Sequence, residues 1–234
     1  MASYEEVSAE LKKLIRENLK PGEPLPSERD LAEFLHTSRD TIRRIFQGFR
    51  EEGLIRQQQG QGTFVAEPRI TMDIAVLHSF TTGTLLSGKQ PTSDVLVTEI
   101  IKATPRLSES LHLNIHDEVI HVVRRRLANG FVVSLEDSYF PKIYLPTLLN
   151  WDLSQHSIYD LMEREFHARP IRASQTLDAV AAGQMESSML EVRLRAPLIR
   201  ITRQAYDNQG RLVEFARDLF RPDRIQFVAD SHDE

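Results

Sequence analysis

Cysteine is absent from all 234 residues, which removes disulfides, thiolate nucleophiles and cysteine-ligated zinc from consideration. Long apolar runs are absent too, and none approaches the roughly 20 residues that cross a bilayer. The opening MASYEEVSAELKKL has no apolar centre of the kind a signal peptide carries. From these absences we expect a cytoplasmic protein with no membrane association. Positive charge is not in excess either: 29 Lys and Arg stand against 34 Asp and Glu, a formal net charge of −5. Any polyanion must therefore be held by local clusters. No GxSxG elbow, P-loop or GxGxxG turn occurs, and no internal repeat or low-complexity tract is legible. No catalytic residue, cofactor or metal is expected. The composition, 41% hydrophobic and 27% charged, is that of one large or two modest globular domains.

Against that acidic background, TSRDTIRRIF at 37–46 gathers three arginines in ten residues. The surrounding pattern explains why they stand there. Val7, Leu11, Leu14, Ile15 and Leu19 recur at helical spacing over 4–19, and KPGEPLP then breaks the helix. A second helix opens at Ser27, with Asp30 three residues on in a capping-box-like arrangement. A third is capped by Thr37 or Ser38, runs to about Glu52 and ends at Gly53. On this third helix Arg39, Arg43 and Arg50 fall within roughly 40° of one another. Ile42, Ile45, Phe46 and Phe49 take the neighbouring sector and face the core. Two short strands, 54–58 and 63–66, follow around Gly60-Gln61-Gly62. Three helices and a hairpin make a winged helix, whose basic third helix can enter a major groove. The plain alternative is a solvated helix face beside an unrelated hairpin.

The run PLPSERDLAEFLHTSRDTIRRIFQGFREEGLIRQQQGQGTFV resembles the DNA-binding signature of the GntR family of bacterial transcription regulators. PSER, SRxTIR, EGLI and GQGTFV stand in order and at family spacing. The resemblance implies that Arg29, Arg39 and Arg43 contact DNA, with Thr41 near the phosphates. It also places Ser38 in the contacting motif and the wing tip, Gln61 and Gly62, in the minor groove. Arg39 or Arg43 is the natural base reader, because arginine pairs bidentately with guanine, and Arg29 is the phosphate clamp. Three residues depart from the family pattern: His36 in the turn, Gly48 inside the recognition helix, and Gln61 at the usually basic wing tip. Residues 1–68 hold 10 Lys and Arg against 12 Asp and Glu, so binding should depend on local field and be salt-sensitive.

Beyond 69–78 (read as a linker with a strand beginning to form), strands are expected at 94–101, 118–128, 131–140, 198–206, 211–220 and 224–229. Helical patterns fit 105–112, 144–149, 157–166 and 184–191. Asn129-Gly130 and the DNQG at 207–210 are hairpin turns. Mostly adjacent strands with helices between them indicate an α+β domain on an antiparallel sheet over 79–234. This domain resembles the UTRA domain of the HutC branch of the same family, whose fold is shared with chorismate lyase.

In VIHVVRRRLANG, alternation sends Arg124 and Arg126 to one face and Arg125 to the other. Glu136 and Ser138 share one face of the partner strand, and Asp137 takes the opposite one. Ser157 caps a helix start, with Asp160 three residues on, and such a start suits an anion. These are the ingredients of a phosphate or carboxylate pocket. They are equally those of cross-strand ion pairs, with Glu136 and Asp137 each answering an arginine. The HutC resemblance favours the pocket. It implies a ligand-facing SFT loop (Ser79, Phe80, Thr81), the strand arginines Arg124 and Arg126, and Glu136. It adds Ser157 with Tyr159, and Glu214. The arginines, Ser157 and the loop would hold an anion, and Glu136 and Glu214 would bond hydroxyls or an amine. The effector class is thus a small anion, a phosphosugar or a carboxylate. His112, His116 and His121 suggest a metal only on one helix face, and Asn114 and Asp117 place a turn there instead. Together these readings describe a ligand-responsive repressor, homodimeric on double-stranded operator DNA. The chorismate lyase likeness leaves an enzyme as the remote alternative, since fold does not confer chemistry.

Overall fold

Serine caps fix where the first three helices begin. In the computed structural model, which describes residues 3–58, 60–66 and 69–230, Ser3 opens α1 (Tyr4–Asn18) with a reciprocal capping box to Glu6. Ser27 opens α2 (Glu28–Phe34) by accepting from the Asp30 amide, while its own hydroxyl donates to the Asp30 carboxylate at 2.8 Å. Ser38 opens α3 (Arg39–Glu51) by accepting from the Thr41 amide. Between α2 and α3, His36 sits at φ 48°. That is the left-handed region, where a Cβ crowds the following carbonyl and glycine is at ease.

Val7, Leu11 and Ile15 of α1 meet Leu31 of α2 and Ile42, Ile45, Phe46 and Phe49 of α3 in one core. Burying that sector of α3 turns Arg39 and Arg43 outward. The strands β1 (Ile55–Gln58) and β2 (Gly62–Val65) pair antiparallel. Gly60 and Gly62, at φ 77° and 111°, make the turn. This is a winged helix, and it forms one compact unit, Met1–Arg69.

The second unit spans Ile70–Glu234. Part of the stretch read as a linker is a strand here: β3 (Ile70–Asp73) runs parallel to β10 (Ile225–Val228), so the first and last strands of the unit close on each other. Next come α4 (Phe80–Leu86), β4 (Pro91–Lys102), α5 (Pro105–Leu111), β5 (Glu118–Ala128) and β6 (Phe131–Pro141). After these stand α6 (Ile158–Arg164), β7 (Arg172–Ala181), α7 (Gln184–Met189), β8 (Pro197–Tyr206) and β9 (Leu212–Phe220). Six of the strands form one antiparallel sheet in the order β4-β5-β6-β9-β8-β7. The α+β expectation holds, with three corrections to its parts. Strand β7 falls where none was expected. The SFT segment starts a helix and is not a loop. The helix expected at 144–149 is only a 3-10 turn, Leu148–Asn150.

A fourth correction concerns repetition. The motif β4-α5-β5-β6 recurs as β7-α7-β8-β9, and the sheet order reads the same outward from its centre. In the first copy the Ser108 hydroxyl donates to the Leu113 carbonyl at 2.9 Å; in the second, Ser187 does so to Val192 at 2.6 Å. His112 and His116 take positive φ, and so do Glu191 and Arg195 at matching positions. The chain therefore does contain an internal repeat. Counted from these serines, Arg124 on β5 and Arg203 on β8 are equivalent.

Candidate nucleic-acid interface and ligand cavity

On the winged helix, Arg39 is exposed and makes no ion pair among the described residues. Arg43 is exposed and loosely held, 3.3 Å from Asp40 and 3.5 Å from Glu28. The third member of the stripe, Arg50, turns to the wing instead and donates to the Gln57 amide oxygen at 3.4 Å. Arg29 is exposed, 3.5 Å from Asp30, and it borders one surface depression together with Thr37 and Arg39. Ser38 and Thr41 share a hydroxyl–hydroxyl bond of 2.8 Å at the start of α3. Gln61 is exposed at the wing tip beside Gly62. The seven residues named from sequence thus lie at the start of α2, along α3 and at the wing.

In the second unit, alternation along β5 buries Ile120, Val122, Arg124, Arg126 and Ala128 on one face. The register sets Arg124 opposite Glu136 on β6. The outcome is asymmetric. One Glu136 oxygen, Oε2, accepts from both arginines, at 2.8 Å from Arg124 and 3.0 Å from Arg126. Arg124 also donates to the Leu153 and His156 carbonyls. Arg126 donates to Thr81 Oγ1 at 2.9 Å and stacks on Phe80, 4.6 Å from the ring centroid. Its Nε is buried and has no hydrogen-bond partner among the described residues. Burial pushes the Glu136 carboxyl up, but Arg126 and Arg124 together outweigh it and hold it below the usual carboxylate range. The alternative in which Asp137 answers an arginine on the other face does not occur. Asp137 meets His121 at 2.9 Å, and Arg125 pairs with Asp94 at 2.6 Å.

These groups surround a cavity of about 260 Å³. Ser79, the cap of α4, and Phe80 line it on one side, with Thr81 joined to it through Arg126. Ser157, the cap of α6, and Tyr159 line it on another. Glu214 closes the far end and accepts the Tyr159 hydroxyl at 2.6 Å. Burial, then Glu214, pushes the Tyr159 hydroxyl well above its ordinary pKa. Eight of the nine residues named from sequence for this site line one space, and Thr81 reaches it only through its bond to Arg126.

The comparisons with known proteins agree with the geometry. Residues 3–65 match the family model for bacterial regulatory proteins of the gntR family, and residues 86–226 match that of the UTRA domain. The HTH-type transcriptional repressor NagR of Bacillus subtilis is 36% identical over 96% of this chain and 93% of its own. The chain belongs to the GntR family. Its members bind operator DNA and small-molecule effectors, and this GntR regulator is a DNA-binding transcription regulator, not an enzyme. The mannosyl-D-glycerate transport/metabolism system repressor MngR of Escherichia coli is 28% identical over 96% of this chain and 94% of its own. The crystal structure of PhnF from Mycobacterium smegmatis superposes with a TM-score of 0.72, at 25% identity, covering 97% of this chain and all of that one. Among the described residues no helix is long and apolar enough to cross a membrane.

Among the charged residues of the regulator's cavity, sequence reasoning missed Arg203 on β8, Asp218 on β9 and the exposed Asp73 at the end of β3. Arg203 donates through Nε to Glu214 at 3.0 Å and lies 3.0 Å from Asp218 through NH2. Asp218 is 1% exposed, and its Oδ1 accepts the Asp137 amide at 3.3 Å. A signal existed. In VEFARDLF the alternate residues Glu214, Ala216, Asp218 and Phe220 are all buried, which puts two acids on an inward face. Gln175, from the unexpected β7, also lines the cavity.

Proposed function

We propose that this GntR regulator is a cytoplasmic homodimeric repressor, released from a palindromic operator when a small anion binds the cavity of its second unit. One observation carries the reading: two buried guanidiniums share a single carboxylate oxygen, and Arg126 Nε has no acceptor among the described residues. A buried donor without a partner costs about 1–3 kcal/mol, and an anion of two or more oxygens would satisfy it and answer the two guanidiniums that share one carboxylate. Phosphate and carboxylate both qualify. A phosphosugar is favoured because the far end of the cavity offers Glu214, Tyr159 and Gln175, groups suited to hydroxyls. A related repressor is named for a mannosyl-glycerate system, which is in keeping with this.

Two recognition helices on successive major grooves require a dimer with two-fold symmetry. By linkage, an effector releases the protein if it prefers the arrangement that DNA does not. The proposed DNA-binding residues are Arg29, Ser38, Arg39, Thr41, Arg43, Gln61 and Gly62. Of the expected division at 1–68, 69–78 and 79–234, the working scheme keeps the two domains and counts Ile70–Asp73 with the second. The test is operator binding followed by anisotropy, with phosphosugars and small carboxylates added. Arg124→Ala should keep operator binding and lose effector release; a normal response in that variant would remove the cavity from the account.

A further inference from the structure

The cavity's charges are unevenly shared between its two ends. At the β5–β6 end two guanidiniums, Arg124 and Arg126, face one carboxylate, Glu136. At the β8–β9 end one guanidinium, Arg203, faces two carboxylates, Glu214 and Asp218. Three positive and three negative groups therefore pair with one another inside the cavity if all are ionised, and the exposed Asp73 in its lining adds a further acid at the surface. Adding an anion breaks the balance of those paired groups, most of which are buried and so weakly screened. The charge must be compensated, and the surplus acid at the far end is the group able to do it.

The acid free to take a proton can be identified from its bonds. Glu136 holds two guanidiniums through one oxygen, so protonating it would strip both. Glu214 takes two donations from Arg203, at 3.0 and 3.4 Å, and the Tyr159 hydroxyl as well. Asp218 is the second acid on a guanidinium already claimed by Glu214, and its other oxygen takes one long amide bond. Facing it are Arg203 from β8, Glu214 from its own strand, Glu136 from β6, Arg126 from β5 and Tyr159 from α6. We propose that Asp218 is a specificity-determining residue of the effector cavity, taking up a proton as the anion enters and so making anion binding proton-coupled.

This rests on the reading of the cavity as an anion site. Burial, reinforced by Glu136 and Glu214 against Arg203, already pushes the Asp218 carboxyl up to about 7. A bound anion raises it further. The sign follows: the protonated acid favours the anion, so affinity is higher below pH 7 and falls above it. In the repeat, Asp218 on β9 occupies the position that Ser138 holds on β6, a neutral group beside the other arginine.

Sulfate is a suitable probe because it does not titrate in this range. We would measure its binding to the full chain by isothermal titration calorimetry at pH 6 and pH 8, at constant ionic strength. For an acid at about 7 that the anion raises by one further unit, binding should be about fivefold tighter at pH 6. Repeating the titration near pH 7.5 in buffers of different ionisation enthalpy should reveal proton uptake by the unmodified chain. Asp218→Asn should still bind sulfate, with affinities at the two pH values that agree. His78 also lines the cavity and is untouched by this substitution. A pH profile it caused would survive in Asp218→Asn and overturn the proposal. So would pH-independent binding without proton uptake in the unmodified chain. No saturable sulfate binding at either pH would instead overturn the anion site itself, and the proposal with it.

Discussion

Glu136 is the residue on which the cavity's arginines depend. Removing one partner of a buried ion pair leaves an uncompensated charge, at a cost of about 3–5 kcal/mol. Glu136→Gln should therefore lower the melting temperature markedly, and sulfate should restore part of the loss by supplying the missing charge. An unchanged melting temperature would mean that the two guanidiniums reach water. Asp218 gives the opposite sign. A carboxyl raised in the fold from 3.8 to about 7 is protonated in the folded chain and ionised in the unfolded one between those values. Stability then falls as pH rises through that window, and the penalty is fully present above it. Asp218→Asn should raise the melting temperature more at pH 8 than at pH 5. Arg124, Arg126 and Glu136 were legible because a two-residue period and a hairpin turn fix both face and register. Arg203 and Asp218 were not singled out, because their importance comes from β9 lying beside β6, a neighbour far away in sequence.

The winged helix was the most legible element of the chain, since caps, turn glycines and apolar periodicity are all local. The departure from the family pattern at His36 falls on a left-handed position, with φ 48°. Gly48 lies inside α3, where glycine costs about 1 kcal/mol of helix stability relative to alanine. A Cβ there would meet only the Tyr4 hydroxyl, at an ordinary contact of 3.7 Å. Gly48→Ala should therefore stabilise the winged helix by up to ~1 kcal/mol, seen as a rise in its melting temperature. The second unit was harder to read. Strand β7 is an edge strand with mostly exposed residues, so it shows little apolar alternation. Helix α4 has seven residues and reads as a Thr- and Gly-rich turn. The repeat escaped notice because few side chains survive in both copies, such as Ser108 with Ser187 and Leu111 with Leu190, while the backbone geometry persists.

At the scale of the whole molecule, an acidic chain must approach DNA through a small set of local cations. Each arginine–phosphate contact adds counterion release, so operator affinity should fall steeply with salt. Arg43→Ala should abolish specific binding, or, where binding persists, flatten the logarithmic salt dependence by about one. Its effector affinity should stay intact, because Arg43 and the cavity belong to different units. Equal loss of both would contradict the division of labour between the units. Linkage between them is the central claim, and fluorescence anisotropy on labelled operator DNA tests it most directly. Adding one phosphosugar or small carboxylate should release the unmodified protein and leave Arg124→Ala bound. If the two proteins respond alike to every anion, the cavity does not govern the operator.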